Sequence, residues 1–371
     1  MDLQKEESVY KLALNMIPGV GPVGARTILA ACGSERDIFM NLDDMTAQGK
    51  INERITETIK SHNILDLAKQ QVEVCIKHNI KAIHYQDNNY PRKLLATESA
   101  PNVIYMLGNA NMDRSRTLGI VGTRSCDSDG KGNIFSLVEQ LKENGINVII
   151  ISGLAAGADT FAHQAALRYE LPTVGVLGHG LNMVYPAENR KLAGDIVHTN
   201  GALVTEYYYG QPVNKVNFPR RNRIIAGLCD ALLVAQSKSS GGALITANVA
   251  IDFHREVFAF PGRISDKLYA GCNQLISDNK ATLITSGEDL IKHMGWMRQQ
   301  KNDAVQMQLN LDPLSDTEIK IIDVLHANGI MTIDSLAAQT GMPMFQLSST
   351  LLDMEFKDLV AGLPGKRYEA K

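Results

Sequence analysis

The sequence predicts an α/β protein: a doubly wound, mainly parallel sheet, with an N-terminal helical domain and a C-terminal winged helix. Three observations predict it. From about residue 103, short apolar runs alternate with helical stretches, the pattern of a parallel sheet covered by helices on both faces. Residues 8–78 carry short amphipathic helical patterns and no strand pattern. The last sixty or so residues hold three helical patterns and a hairpin. At 371 residues the chain exceeds one ordinary core. The expected division is a helical domain at 1–78, the sheet domain at 79–295, a polar Gln/Asn-rich linker at 296–312 and the winged helix at 313–371.

The N-terminal helices break at Gly33-Ser34 and near Gly49. Between the first two lies Ile17-Pro18-Gly19-Val20-Gly21-Pro22-Val23-Gly24-Ala25-Arg26, which resembles the hairpin of helix-hairpin-helix modules, where glycines turn backbone amides toward a phosphate. A tight turn between packed helices uses the same residues equally well. Strands are expected at 118–121, 148–151, 173–177, 203–205, 231–235, 257–260 and 283–285, with edge strands at 82–85 and 103–107. In the last domain Ser315-Asp316-Thr317-Glu318 reads as a capping box, helical patterns follow near 332–340 and 343–356, and a hairpin turns at Pro364-Gly365.

Composition excludes several classes. No stretch approaches the run of about 18 apolar residues that a membrane helix needs. The polar, acidic start Met1-Asp2-Leu3-Gln4-Lys5-Glu6-Glu7 lacks the features of a secretory signal, so a cytoplasmic address is expected. Five cysteines, Cys32, Cys75, Cys126, Cys229 and Cys272, are scattered without metal-ligand spacing. The net charge of −3 gives no global signal for a polyanionic partner. Locally the balance differs: residues 114–275 hold 16 Lys/Arg against 13 Asp/Glu, whereas 313–371 hold 5 against 8, which directs the search for phosphate contacts to the middle of the chain.

In a doubly wound sheet, ligands sit beyond the carboxyl ends of the strands, against helix N-termini whose free amides favour anions. Three loops there are rich in glycine and hydroxyls: Gly122-Thr123-Arg124, Ser152-Gly153-Leu154-Ala155-Ala156-Gly157-Ala158-Asp159 and Ser239-Ser240-Gly241-Gly242-Ala243. The densest basic patch, Lys215-Val216-Asn217-Phe218-Pro219-Arg220-Arg221-Asn222-Arg223, combines cations for phosphates with an aromatic face for a base. It reads equally as a solvated surface before a helix. Asp159 and His163, four apart on one helix face, are expected to order the Gly157 loop by hydrogen bonding, and Tyr207-Tyr208-Tyr209 to pack on the core. No G-x-G-x-x-G follows the first of the parallel strands and no G-x-x-x-x-G-K-[ST] occurs, which disfavours dinucleotide and ATP-hydrolysing roles.

The ordered set Gly122-Thr123-Arg124, Ser152-Gly153-Leu154-Ala155-x-Gly157-x-Asp159-x-x-Ala162-His163, Tyr185-Pro186-x-x-Asn189, Phe218-Pro219-x-Arg221-Asn222-Arg223-Ile224-Ile225-Ala226-Gly227, Ser240-Gly241-Gly242-Ala243-x-x-Thr246-Ala247 and Pro261-Gly262 resembles the DNA-processing protein A (DprA/Smf) family over roughly residues 90–290. The resemblance implies a Rossmann-like core, an N-terminal module of helix-hairpin-helix or SAM-like type, and a winged helix. It also implies a cytoplasmic homodimer that binds and protects incoming single-stranded DNA during natural transformation and helps load the RecA recombinase. The DNA-binding residues expected on this basis are Gly122, Thr123, Arg124, Ser152, Gly153, Asn189, Lys215, Phe218, Arg221, Asn222, Arg223, Ser240, Gly241 and Gly242. The chain departs from the family at Ala156, often basic in relatives, and at Gly242, commonly serine.

The competing class is a Rossmann-like enzyme, a nucleotide phosphoribohydrolase or lysine-decarboxylase-like protein, which carries a P-G-G-x-G-T-x-x-E element with an acid for bond cleavage. The comparable loop here, Ser240 to Ala247, has no carboxylate, so binding without turnover is expected, with no catalytic residue, metal or cofactor. A winged-helix transcription regulator is disfavoured because the presumed recognition helix, 343–356, contains no Arg or Lys.

Overall fold

The computed structural model describes residues 3–113, 116–296, 315–357, 359–363 and 366–370. All of the expected linker but Trp296 lies outside the described residues, as does the Pro364-Gly365 turn. The chain divides into two compact units, residues 1–298 and 299–371.

Among the described residues the first unit holds nine strands: β1 (Lys81–His84), β2 (Val103–Gly108), β3 (Thr117–Val121), β4 (Ile149–Ser152), β5 (Thr173–Val176), β6 (Ala202–Thr205), β7 (Ala231–Val234), β8 (Glu256–Ala259) and β9 (Thr282–Leu283). They form one sheet in the order β1-β2-β6-β5-β4-β3-β7-β8-β9. From β6 to β9 every pairing is parallel. Every residue of β3, β4, β5, β6 and β7 is buried, so the continuous apolar runs serve two covered faces. Each fully buried Leu, Ile or Val there contributes about 1.5–3 kcal/mol. One expectation needs correcting: β2 is interior, antiparallel to both β1 and β6, so only β1 forms that edge. Residue pattern encodes a strand; its neighbours are chosen by long-range pairing.

The parallel order fixes where a ligand can sit. The chain runs outward from β3 through β4 and β5 to β6, then returns to β7 on the other side of β3. The winding direction therefore reverses between β3 and β7, and a crevice opens beyond their carboxyl ends.

The N-terminal helices, Leu3–Asn15, Pro22–Cys32, Glu35–Met40, Leu42–Ala47, Glu53–Ser61 and Ile64–Lys77, bury an apolar cluster that extends onto β2 through Val103 and Tyr105. Pro22 suits the first turn of its helix, and Gly33, at φ 92°, ends it. Ser34 caps the next helix, accepting from the Asp37 amide at 3.1 Å. The Ile17–Arg26 hairpin is part of this packing. Arg26 donates to Asn102 Oδ1 at 2.8 Å and to the Ala100 carbonyl at 2.9 Å, and Asn102 Nδ2 donates back to the Pro22 carbonyl at 3.1 Å.

The second unit contains helices Asp316–Asn328, Ile333–Thr340 and Met344–Phe356, with β10 (Met331–Thr332), β11 (Val360–Leu363) and β12 (Arg367–Ala370) in the order β10-β12-β11, a winged helix. The capping box is present: Ser315 Oγ accepts from the Glu318 amide at 3.3 Å, and the Glu318 carboxylate accepts from the Ser315 amide at 2.8 Å. Lys357 Nζ donates to the same carboxylate at 2.6 Å, and these bonds pull its pKa down to about 2.

Candidate nucleic-acid interface

A cleft of about 680 Å³ occupies the crevice between β3 and β7. Of the expected residues, Gly122, Thr123, Arg124, Lys215, Phe218, Arg221, Asn222, Ser240, Gly241 and Gly242 line it; Ser152, Gly153, Asn189 and Arg223 do not.

Arg124 reaches the cleft from a backbone held on both sides. Gln236, buried at the end of β7, accepts from the Thr123 amide through its carbonyl at 2.8 Å. Its side chain exchanges bonds with Asp127, receiving from the Asp127 amide at 3.2 Å and donating to Oδ1 at 2.9 Å. Asp127 in turn caps helix Ser128–Glu143 by accepting from the Gly130 amide at 2.9 Å. On the other side stands Gly157, at φ 78°. A Cβ there would lie 2.4 Å from the Thr123 carbonyl oxygen and 2.5 Å from that of Arg124, so only glycine fits. The loops after β3, β4 and β7 thus form one body, with the Arg124 side chain exposed above it.

The basic patch is less uniform than its composition. Lys215 and Arg220 are exposed, but Arg221 is only 4 % exposed: its Nη1 donates to the carbonyls of Gly153, at 2.5 Å, and Val176. Gly153 makes room for it, since a Cβ there would stand 2.5 Å from the guanidinium. Arg223 pairs with Glu206 at 2.5 Å. The expected four-cation surface therefore presents two, because helical period turns residue 221 inward and a carboxylate distant in sequence meets residue 223. Burial pushes the Asp159 carboxyl up while the Arg221 charge opposes it, and burial pushes the Arg221 guanidinium down while the Asp159 charge opposes that.

The remaining expected residues brace the loops. Ser152 Oγ donates to the Ile120 carbonyl at 2.6 Å, and Asn189 Nδ2 donates to the Leu154 carbonyl at 2.9 Å and to Thr160 Oγ1 at 2.8 Å. Asp159 accepts from the Ala155 amide at 3.4 Å. Against expectation His163 does not bond the Gly157 loop: it shares a 2.7 Å hydrogen bond with Thr173 on β5, and burial pushes its pKa down to about 3, so it is neutral and structural. The Tyr207–Tyr209 run packs: Gln71 bonds both the amide and the carbonyl of Tyr209 at 3.0 Å, and His78 stacks on its ring.

Two lining residues, Lys238 and Tyr185, escaped sequence reasoning. Lys238 is a lone cation among serines, and Tyr185 stood out only as a motif residue. With them the cleft presents three exposed cations, Arg124, Lys215 and Lys238, and none makes an ion pair among the described residues. Its lining carboxylate, Asp159, is buried beneath them. Gly241 caps helix Gly242–Asp252; its own amide donates to the Lys238 carbonyl at 3.0 Å and that of Leu244 to the Gly241 carbonyl at 3.1 Å, which leaves the Gly242 and Ala243 amides free. Unpaired cations, free amides and an aromatic rim suit a phosphate chain with its bases attached.

Residues 81–295 match the family described as DNA recombination-mediator protein A, and residues 306–366 match the DprA winged helix domain. The chain belongs to the DNA recombination-mediator protein A family. Protein Smf of Escherichia coli K12 is 34% identical over 280 residues, covering 74% of each chain. DNA processing protein DprA of Streptococcus pneumoniae is 38% identical over 205 residues, 55% of this chain and 71% of that one. The X-ray structure of S. pneumoniae DprA matches 79% of this chain and 98% of its own, with a TM-score of 0.59 and 29% identity. A solved structure of DNA processing protein A from Helicobacter pylori, described for its single-stranded DNA binding mode, matches 58% of this chain and 96% of its own, with a TM-score of 0.52 and 25% identity. DNA processing is thus the function class of this member, and the Rossmann-like core and winged helix are those of its family. No described helix is long and apolar enough to cross a membrane, and among the described residues no cluster of metal-ligating side chains occurs.

Proposed function

We propose that this chain binds single-stranded DNA in the β3/β7 cleft and processes incoming DNA during natural transformation, as a cytoplasmic homodimer that protects the strand and helps load RecA. The carrying observation is the convergence of Arg124, Lys215 and Lys238, none of them in an ion pair among the described residues, beside the free Gly242 and Ala243 amides at the point where the sheet reverses its winding. Arg124 and Lys215 neutralise phosphates, and Gly241 and Gly242 let the backbone approach closely. Arg221, Ser152, Gly153 and Asn189 act from beneath, by holding the loops. Phe218 acts partly through Arg124, whose guanidinium carbon lies 5.6 Å from the centre of its ring.

The same geometry argues against turnover. Ala247, where the related enzymes carry an acid, is fully buried, and Asp159 is held by the loop amides and Arg221. The discriminating measurement is fluorescence anisotropy of labelled oligodeoxythymidine against a duplex of equal length at two salt concentrations. Tight single-strand binding that weakens steeply with salt is expected. Equal affinity for the two forms would defeat the proposal, and release of free base from nucleoside monophosphates would defeat its non-enzymatic part.

A further inference from the structure

Between β6 and helix Asn217–Leu228 the chain crosses residues 206–216 without helix or strand, and this segment delivers Val213 and Lys215 to the wall of the cleft. A segment of that length gives up much conformational freedom on being fixed, so what fixes it matters. At its base Glu206 is paired with Arg223. Further out it is gripped from outside the sheet. Gln71, on the N-terminal helix Ile64–Lys77 and only 8 % exposed, accepts from the Tyr209 amide through Oε1 and donates through Nε2 to the Tyr209 carbonyl, both at 3.0 Å. One primary amide thereby meets both backbone groups of one residue. The exposed His78 ring stacks on that of Tyr209, 4.8 Å between centres, and Tyr208 packs against the apolar cluster of the N-terminal helices.

From this anchor the chain is led to the cleft in short steps. The Gly210 amide donates to Asn182 Oδ1 at 3.0 Å, and the Gln211 carbonyl accepts from the Gly180 amide at 3.1 Å. Leu181, between those two partners, packs on the same helical cluster. Asn214 then turns the chain into the helix, its Oδ1 accepting from the Val216 amide at 3.1 Å and its carbonyl from the Asn217 amide at 3.0 Å, with Lys215 exposed on the turn. Two cations of the cleft are therefore held differently. Arg124 stands on loops that the sheet domain braces by itself, through Gln236 and Gly157. Lys215 stands at the end of a segment whose outer anchor belongs to the N-terminal helices.

We propose that Gln71 is a positioning residue for single-strand binding: by holding Tyr209 it fixes the segment that sets Lys215 against the phosphate path. The N-terminal helices are then a working part of the cleft, although its lining starts only at Val121. The assignment rests on the single-strand reading of the cleft. A lysine neutralises a phosphate only where its backbone brings the ammonium within reach, and a wandering backbone spreads that charge over many positions.

The test is a double-mutant cycle read by anisotropy of labelled oligodeoxythymidine at several salt concentrations. Gln71→Met keeps the length of the side chain and removes both bonds, so it should weaken binding by about two- to ten-fold and lower the salt slope by part of the roughly 0.7 that Lys215→Ala removes. In the Lys215→Ala background the same change should cost less than about two-fold, whereas in the Arg124→Ala background it should cost its full amount. A variant that is merely less folded loses affinity alike in every background. His78→Ala, at an exposed position, should give the same pattern at smaller size, and it keeps the test open if Gln71→Met does not fold. Full additivity of either change with Lys215→Ala, or an unchanged salt slope in both variants, would overturn the assignment while leaving single-strand binding intact. Failure of the unaltered protein to bind oligodeoxythymidine would instead remove the reading beneath it.

Discussion

The β3/β7 cleft and helix Met344–Phe356 are the two places where this fold leads one to expect a DNA-reading surface, and their chemistry is opposite. The cleft exposes three cations that make no ion pair among the described residues, set over glycine-rich loops. The helix occupies the recognition position of a winged helix, yet it carries no Lys or Arg and exposes Phe345 at 80 % and Leu352 at 53 %. A duplex-reading helix needs cations for phosphates and polar side chains for base edges. Architecture alone therefore does not assign a DNA surface; the charges left free by the surrounding packing do.

The comparison can be broken most severely at Arg124. Arg124→Ala removes a charged donor from the centre of the cleft and should cost about 2 kcal/mol of single-strand affinity, roughly thirty-fold, read by anisotropy. A similar loss on deleting residues 299–371 would erase the proposed contrast. Gly157→Ala tests the foundation beneath Arg124. Positive φ and the clash with two carbonyls should lower stability by about 1–3 kcal/mol, whereas Gly242→Ala, whose Cβ meets nothing within 4 Å, should leave thermal unfolding nearly unchanged. Lys215→Ala sharpens the electrostatic side. It should reduce the slope of log affinity against log salt by about 0.7, the value for one phosphate on a single strand.

Acid separates the two units by a different route. Burial holds His84 down to about 4 and His163 down to about 3, so unfolding lets both take up protons that the folded state refuses. The first unit should therefore lose stability as pH falls below about 6.5, by up to about 1.4 kcal/mol per pH unit for each histidine. Glu318 has its pKa lowered to about 2, so its contribution in the winged helix is complete above about 4.5 and fades only as pH falls toward 2. Trp296, the chain's one tryptophan, lies in the first unit and reports its unfolding; hydrogen exchange of residues 316–356 reports the second. Simultaneous loss of both on mild acidification would contradict this order. The smallest effect expected is that of removing residues 299–371 on single-strand affinity, within about two-fold by the same titration, because the cleft's lining lies wholly in the first unit.

These outcomes also mark what was readable beforehand. The strands were legible because burial on both faces demands continuous apolar runs, and the Ser315 cap because it is local. The interior place of β2 was not, since its partner β6 lies about a hundred residues away in sequence. The glycine loops, Arg124 and Lys215 were found from composition and position. Arg221 and Arg223 were counted as surface charge because neither the carbonyls that hold Arg221 nor Glu206 is visible in a local window. Gln236, which clamps the Arg124 loop, carried no signal at all.

The bonds from Arg26 to Asn102 and Ala100 bear on how the chain can be cut. Asn102 adjoins β2, and on that strand Val103 and Tyr105 complete the apolar cluster of the N-terminal helices. A fragment starting at residue 79 would keep the cleft but bare this apolar face of β2, an invitation to self-association. Preparations of the sheet domain alone should aggregate for reasons unrelated to nucleic acid, whereas fragments retaining the six N-terminal helices should remain dispersed.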